Sequence, residues 1–156
     1  SFVLFLSYLF YEKRSFKKNF KIGYLFGFSY FLFGFSWISN ALLVDENQFV
    51  AYVPIVLLVI GLFFGLFIAF PSATVCFGKN IYQRALIFSL FFSIFEWIRS
   101  FIFTGFPWNL LGSALAFDTR LIIGASFIGV YGLSLVLLFL ISGIAILLIG
   151  IKERKI

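Results

Sequence analysis

Four apolar runs of about bilayer length, each bounded by a short polar segment, constrain this chain more than any other feature of its sequence. They lie at 22–39, 49–70, 85–103 and 121–151, and a shorter run occupies 1–11. A hydrocarbon core about 30 Å thick takes about 20 apolar residues as helix, and lipid offers no partner to a free backbone N–H or C=O. The expected fold is therefore all-α: a polytopic transmembrane helix bundle of about four full spans plus one partial N-terminal span. Soluble cores also contain apolar helices, but here 63% of 156 residues are hydrophobic, 26 of them Phe, and 12% are charged. Such a balance lies well outside that of ordinary soluble domains.

The charges are placed as topology requires. Twelve Lys and Arg face six Asp and Glu, a basic excess that in a soluble protein would point to nucleic acid. Ten of the twelve sit in the segments Lys13 to Lys21, Lys79 to Arg84 and Lys152 to Lys155. These alternate with acidic or neutral segments, so the positive-inside rule sends all three to the cytoplasm and sends Asn40 to Gln48 and Gly105 to Arg120 outward. No nucleic acid partner is expected. The chain has no His and the single cysteine Cys76, which excludes disulfides, Cys/His metal sites and His-based triads within it. Neither a metal nor a cofactor is expected.

The run from Phe2 to Tyr11 covers about half a bilayer, as the end of a helix would. A signal peptide would carry its Lys and Arg before the apolar run, whereas here they follow it. Pro54 lies in the first two turns of the run 49–70 and Pro71 just past its end, both near helix ends, where proline does least harm. The run 121–151 would reach about 45 Å as one helix, so its first part is expected at the interface, with Gly129 and Gly132 as places for a bend. Gly23 with Gly27, and Gly61 with Gly65, have the Gly-x-x-x-Gly spacing that lets helices approach closely. Glycine is common in membrane helices, and neither pair identifies a function.

The most informative stretch is FEWIRSFIFTGFPWN, Phe95 to Asn109. Glu96 and Arg99 are three residues apart, on one face of a helix, and in position to pair. A charge at the bilayer centre costs about 2.5 to 3.5 kcal/mol on insertion scales, so pairing, protonation or a polar group on another helix must offset Glu96. Two readings stay open: a structural pair that locks helix packing, or an Arg99 that meets a lipid phosphate while Glu96 orients it. Next, Gly105 and Pro107 stop the helix while Phe106 and Trp108 stay apolar, as in an interfacial aromatic anchor or a lipid-facing wall beside a polar site.

These residues resemble a known family, the apolipoprotein N-acyltransferases of bacterial inner membranes. The resemblance is carried by EWIRSFIFTGFPWNLLG, Glu96 to Gly112, by IIGASFIGVYGLSL, Ile122 to Leu135, and by GYLFGFSYFLFGFSWI, Gly23 to Ile38. It implies a multi-pass protein of the inner (plasma) membrane and an enzyme with eight membrane helices and a periplasmic nitrilase-like domain. That enzyme moves an acyl chain from a phospholipid donor to the α-amino group of the N-terminal diacylglyceryl-cysteine of an apolipoprotein. By order of motifs this chain would hold the end of the second helix through the sixth. The nucleophilic Cys with its Glu and Lys partners belongs to the nitrilase-like domain, which no segment here resembles, so the chain is not expected to be active alone. Cys76 lies in no such motif, and no catalytic residue carries over.

What carries over is a supporting role. Glu96, Trp97, Arg99, Pro107 and Trp108 match the family motif, and with Phe106 they form the expected substrate-binding set. Arg99 is expected to contact a headgroup, Glu96 to position Arg99, and Phe106 and Trp108 to flank a lipid entrance. A nonenzymatic membrane scaffold or subunit is the alternative. A small transporter fits less well, because only Glu96 is both deep and ionisable.

Overall fold

The computed structural model describes residues 2–42, 50–102, 105 and 108–153; Asp45, Glu46, Phe106 and Pro107 lie outside them. Among the described residues there is no strand. The helices are α1 (Phe2–Tyr11), α2 (Phe16–Gly34), α3 (Ile38–Leu42), α4 (Val53–Phe64), α5 (Leu66–Thr74), α6 (Ile81–Arg99), α7 (Thr119–Ile122) and α8 (Ala125–Glu153). The fold is a helical membrane bundle. Three helical runs, Val50–Phe77, Ile81–Arg99 and Ala125–Glu153, are long and apolar enough to cross a bilayer.

Local chemistry sets where these helices begin and bend. α2 starts at Phe16, ahead of its apolar run, because Lys17, Lys18 and Lys21 are good helix formers whose ammonium groups stay exposed. α6 starts at an Asn cap: Asn80 Oδ1 accepts the Gln83 N–H and Gln83 Oε1 accepts the Lys79 N–H, each at 2.9 Å. In its first turn the buried Arg84 donates from Nη1 to the Phe10 carbonyl at 2.7 Å, which ties the end of α1 to the start of α6.

Pro71 lies inside α5 rather than just past a helix end. Its ring removes the N–H that would have bonded the Phe67 carbonyl; close by, Ser72 donates to the Ile68 carbonyl and Thr74 to the Pro71 carbonyl, both at 2.7 Å. The long last run bends at Gly129, with φ 70° and ψ 169°, a backbone conformation essentially reserved for glycine. Gly132, the other glycine in position for a bend, stays helical.

α2 packs along α5 and α4, α5 against α6, α6 against α8, and α8 against α1. The core is built largely from rings, among them Phe10, Phe31, Phe35, Phe64, Phe88 and Phe92, most of them tilted or edge-on to one another as aromatic quadrupoles prefer. In lipid, close packing does the work that water exclusion does elsewhere, and small residues permit it. Both Gly-x-x-x-Gly pairs lie on the seam between α2 and the α4–α5 run. A Cβ on Gly27 would sit 2.7 Å from the Gly65 carbonyl oxygen, and one on Gly65 would sit 3.0 Å from the Phe28 nitrogen. The obstructing atoms are backbone, so neither helix can yield locally.

Gly27→Val is therefore expected to force the helices apart and lower stability by about 1 to 3 kcal/mol. Gly143→Val, whose Cβ would meet nothing within 4 Å, should be nearly neutral. Thermal unfolding in detergent, read by a thiol-reactive dye on the sole cysteine Cys76, checks this; equal midpoints for the two variants would refute the seam.

Candidate functional site

The C-terminal end of α6 carries a buried carboxylate and a buried guanidinium side by side. Helical spacing puts Glu96 and Arg99 on the face that packs inward, where they are 5% and 1% exposed. Their direct ion pair is long, 4.0 Å from Arg99 Nη2 to Glu96 Oε1. Shorter bonds run from both side chains to the loop that follows α6. Glu96 Oε1 accepts the Leu111 N–H at 2.6 Å, Arg99 Nη1 donates to the Trp108 carbonyl at 2.7 Å, and Arg99 Nη2 donates to the Asn109 carbonyl at 3.4 Å. The first two are short, charge-assisted bonds of the strong class. The pair therefore acts mainly as a bracket for backbone, and the Phe31 ring, 5.2 Å from the guanidinium carbon, closes its other side.

The bracketed loop reaches two further helices. Asn109 takes a left-handed conformation, φ 53°, which Asn tolerates better than most residues. Its side-chain amide donates to the Gly34 carbonyl at 2.7 Å and so caps the last turn of α2. Leu111–Phe117 forms a 3-10 helix against α8. The Gly112 N–H donates to Ser134 Oγ at 2.7 Å, and a Cβ on Gly112 would stand 2.5 Å from the Val130 carbonyl. Only glycine permits that approach. The end of α2, the end of α6, the loop and α8 are thereby joined around one ion pair.

The structure separates the expected site residues into two groups. Glu96 and Arg99 are inside. Trp97, one residue on from Glu96, is turned outward and 53% exposed, with its ring 4.9 Å from that of Phe101. Trp108 is 54% exposed and packs 5.6 Å from Trp37, while its carbonyl serves Arg99. Phe106 and Pro107 lie outside the described residues.

Beside the pair is a small cavity lined by Tyr30, Phe31, Phe67, Glu96, Arg99 and Asn109, with about 10 Å³ for the centre of a water molecule. Glu96 Oε2 is buried there without a hydrogen-bond partner among the described residues. That space suits about one water and is too small for a phosphodiester. For Arg99 to reach a headgroup directly, its guanidinium would have to leave the Trp108 and Asn109 carbonyls.

Sequence reasoning missed Asn109, Gly112 and Ser134 as parts of this site. An Asn two residues past Pro107 is a turn signal, and Gly112 fell inside the quoted motif. Ser134 also fell inside a quoted motif, Ile122 to Leu135, but nothing there shows that its partner is the Gly112 amide, 22 residues away. Cys76 is half-buried in the turn before α6, at the opposite end of a helix about 28 Å long.

The model of the apolipoprotein N-acyltransferase N-terminal domain matches residues 1–143. An apolipoprotein N-acyltransferase of Rickettsia prowazekii strain Madrid E is 38% identical over 136 residues, which is 87% of this chain and 27% of that protein. The enzyme of the same name from Brucella melitensis biotype 1 is 40% identical over 129 residues, 81% of this chain and 24% of that protein. One from Allorhizobium ampelinum is 35% identical over 138 residues, 86% of this chain and 26% of that protein. The chain thus spans about a quarter of the length of the curated relatives it matches. No solved structure matches it. A family model that covers all but the last α8 turns, and relatives aligned across most of the bundle, establish that this chain belongs to the apolipoprotein N-acyltransferase N-terminal domain family.

Proposed function

We propose that the chain is the membrane portion of an apolipoprotein N-acyltransferase, multi-pass in the bacterial inner membrane. There it holds substrates for transfer of an acyl chain from a phospholipid to the N-terminal diacylglyceryl-cysteine of a lipoprotein. The observation that carries this reading is the braced loop: two buried charges spend their hydrogen bonds on fixing the backbone that bears Trp108. With the basic segments in the cytoplasm and α2 crossing as a further span, this loop lies at the outer face. That is where a donor lipid and a lipid-modified protein N-terminus can both arrive by diffusion in the membrane.

In this reading Glu96 and Arg99 are positioning residues. Trp97 and Trp108 offer exposed apolar surface for acyl chains, and Phe106 and Pro107, next to Trp108 in sequence, are assigned the same role. Acyl transfer itself belongs to the whole enzyme, and Cys76, a helix length from the loop, takes no part in it.

Two measurements test this. The chain is combined in phospholipid micelles with a separately expressed remainder of a relative, and acylation of a diacylglyceryl lipopeptide is followed. Product is expected from the mixture and from neither part alone; a mixture that associates yet makes no product refutes the assignment. In an active full-length enzyme, Arg99→Ala strands a buried carboxylate and two carbonyls, so stability should fall by about 3 to 5 kcal/mol, with acylation lost in parallel. Weaker donor-lipid binding at unchanged stability would instead restore the direct headgroup role of Arg99.

A further inference from the structure

At the end of the bundle opposite Arg99, α1 and α8 leave an open groove with about 380 Å³ for the centre of a water-sized sphere, whose walls include Leu4, Tyr8, Tyr11 and Leu148. The slot is almost wholly apolar except where Lys152 closes it. Two cations sit over its aromatic residues. The Arg14 guanidinium lies 4.3 Å from the centre of the Tyr8 ring, and the Lys152 ammonium 4.8 Å from that of Tyr11. They differ in what else they hold. Arg14 donates to the Tyr8 carbonyl at 2.7 Å and pairs with Glu12 at 3.1 Å, so its charge is largely satisfied. Lys152 is exposed and has no carboxylate within ion-pair distance among the described residues. Lys13 and Lys17 on the neighbouring segment are exposed as well, with no ion pair among the described residues.

A slot for hydrocarbon that ends in an unpaired ammonium fits a ligand with an anionic head and an acyl tail. We infer that the α1–α8 groove binds an anionic phospholipid, with an acyl chain along Leu4 and Leu148 and its phosphodiester on Lys152. The Tyr11 ring holds the ammonium over the slot and limits its side-chain freedom, so less entropy is lost when the phosphate arrives. Basic pockets between helices on the cytoplasmic side of a membrane recognise anionic headgroups in this way. A zwitterionic lipid would fill the slot equally but bring its own cation close to Lys152, which sets the expected discrimination. This site is separate from the loop bracketed by Glu96 and Arg99, and it stands whether or not the substrate-holding reading does.

The test is native mass spectrometry of the whole chain in neutral detergent, titrated with dioleoyl phosphatidylglycerol or dioleoyl phosphatidylcholine. One phosphatidylglycerol should be retained at a concentration about fivefold lower than phosphatidylcholine, the effect of one lysine at a membrane surface. Lys152→Gln should erase that preference, Lys152→Arg should keep it, and Leu4→Trp, which fills the slot, should weaken retention of both lipids. Equal retention by the unaltered chain would overturn the inference, as would a preference that survives Lys152→Gln. Loss of preference in Lys79→Gln, outside the groove, would reduce the effect to general surface charge and also overturn it. A lipid-free dimer broken by Leu4→Trp would give the groove to a second copy instead.

Discussion

The Glu96 carboxylate accepting the Leu111 N–H is the contact on which the rest of the site depends. Residues 108–112 leave the helix and bury their backbone at Leu110, Leu111 and Gly112, so each polar group must find a partner inside the protein or cost the fold a lost hydrogen bond. Helical geometry cannot supply those partners; charged side chains can. Glu96 provides the acceptor and Arg99 the donors for opposite ends of one short stretch. The long separation between the two charged groups is a consequence of that division of labour. A tight ion pair would leave the loop unbound.

Everything around the bracket keeps it dry and in register. The Gly27–Gly65 seam brings α2 against the α4–α5 run, which places Phe31 under Arg99 and the Gly34 carbonyl within reach of Asn109. On the other side, the bend at Gly129 lets α8 pass close to Gly112. Packing in this bundle is therefore what makes the buried charges tolerable, and the charges in turn hold the irregular segment that carries the exposed Trp108.

Much of this was legible in the sequence. Apolar run lengths marked the helices because a bilayer leaves backbone no other way to be satisfied, and the spacing of Glu96 and Arg99 announced a shared face. What lay beyond reach was long-range. Nothing local at Ser134 or Gly34 says that a loop will bond there, since those partners are 22 and 75 residues from Gly112 and Asn109. Helix ends misled for physical reasons: lysine stems extend α2 past its apolar run, and α5 continues through Pro71 at the loss of a single backbone hydrogen bond. Sequence also left open whether Arg99 serves packing or a ligand. Its burial and its two carbonyl acceptors weigh toward packing, so the proposed role in lipid handling runs through the loop it holds.

Hydrogen–deuterium exchange at single-amide resolution tests the bracket most directly, with the chain in lipid nanodiscs. The Leu111 and Gly112 amides should exchange as slowly as those in the middle of α6, despite lying outside any α-helix. Exchange at the rate of an open loop would mean that Glu96 and Ser134 do not hold this backbone, and the account of the site would fail.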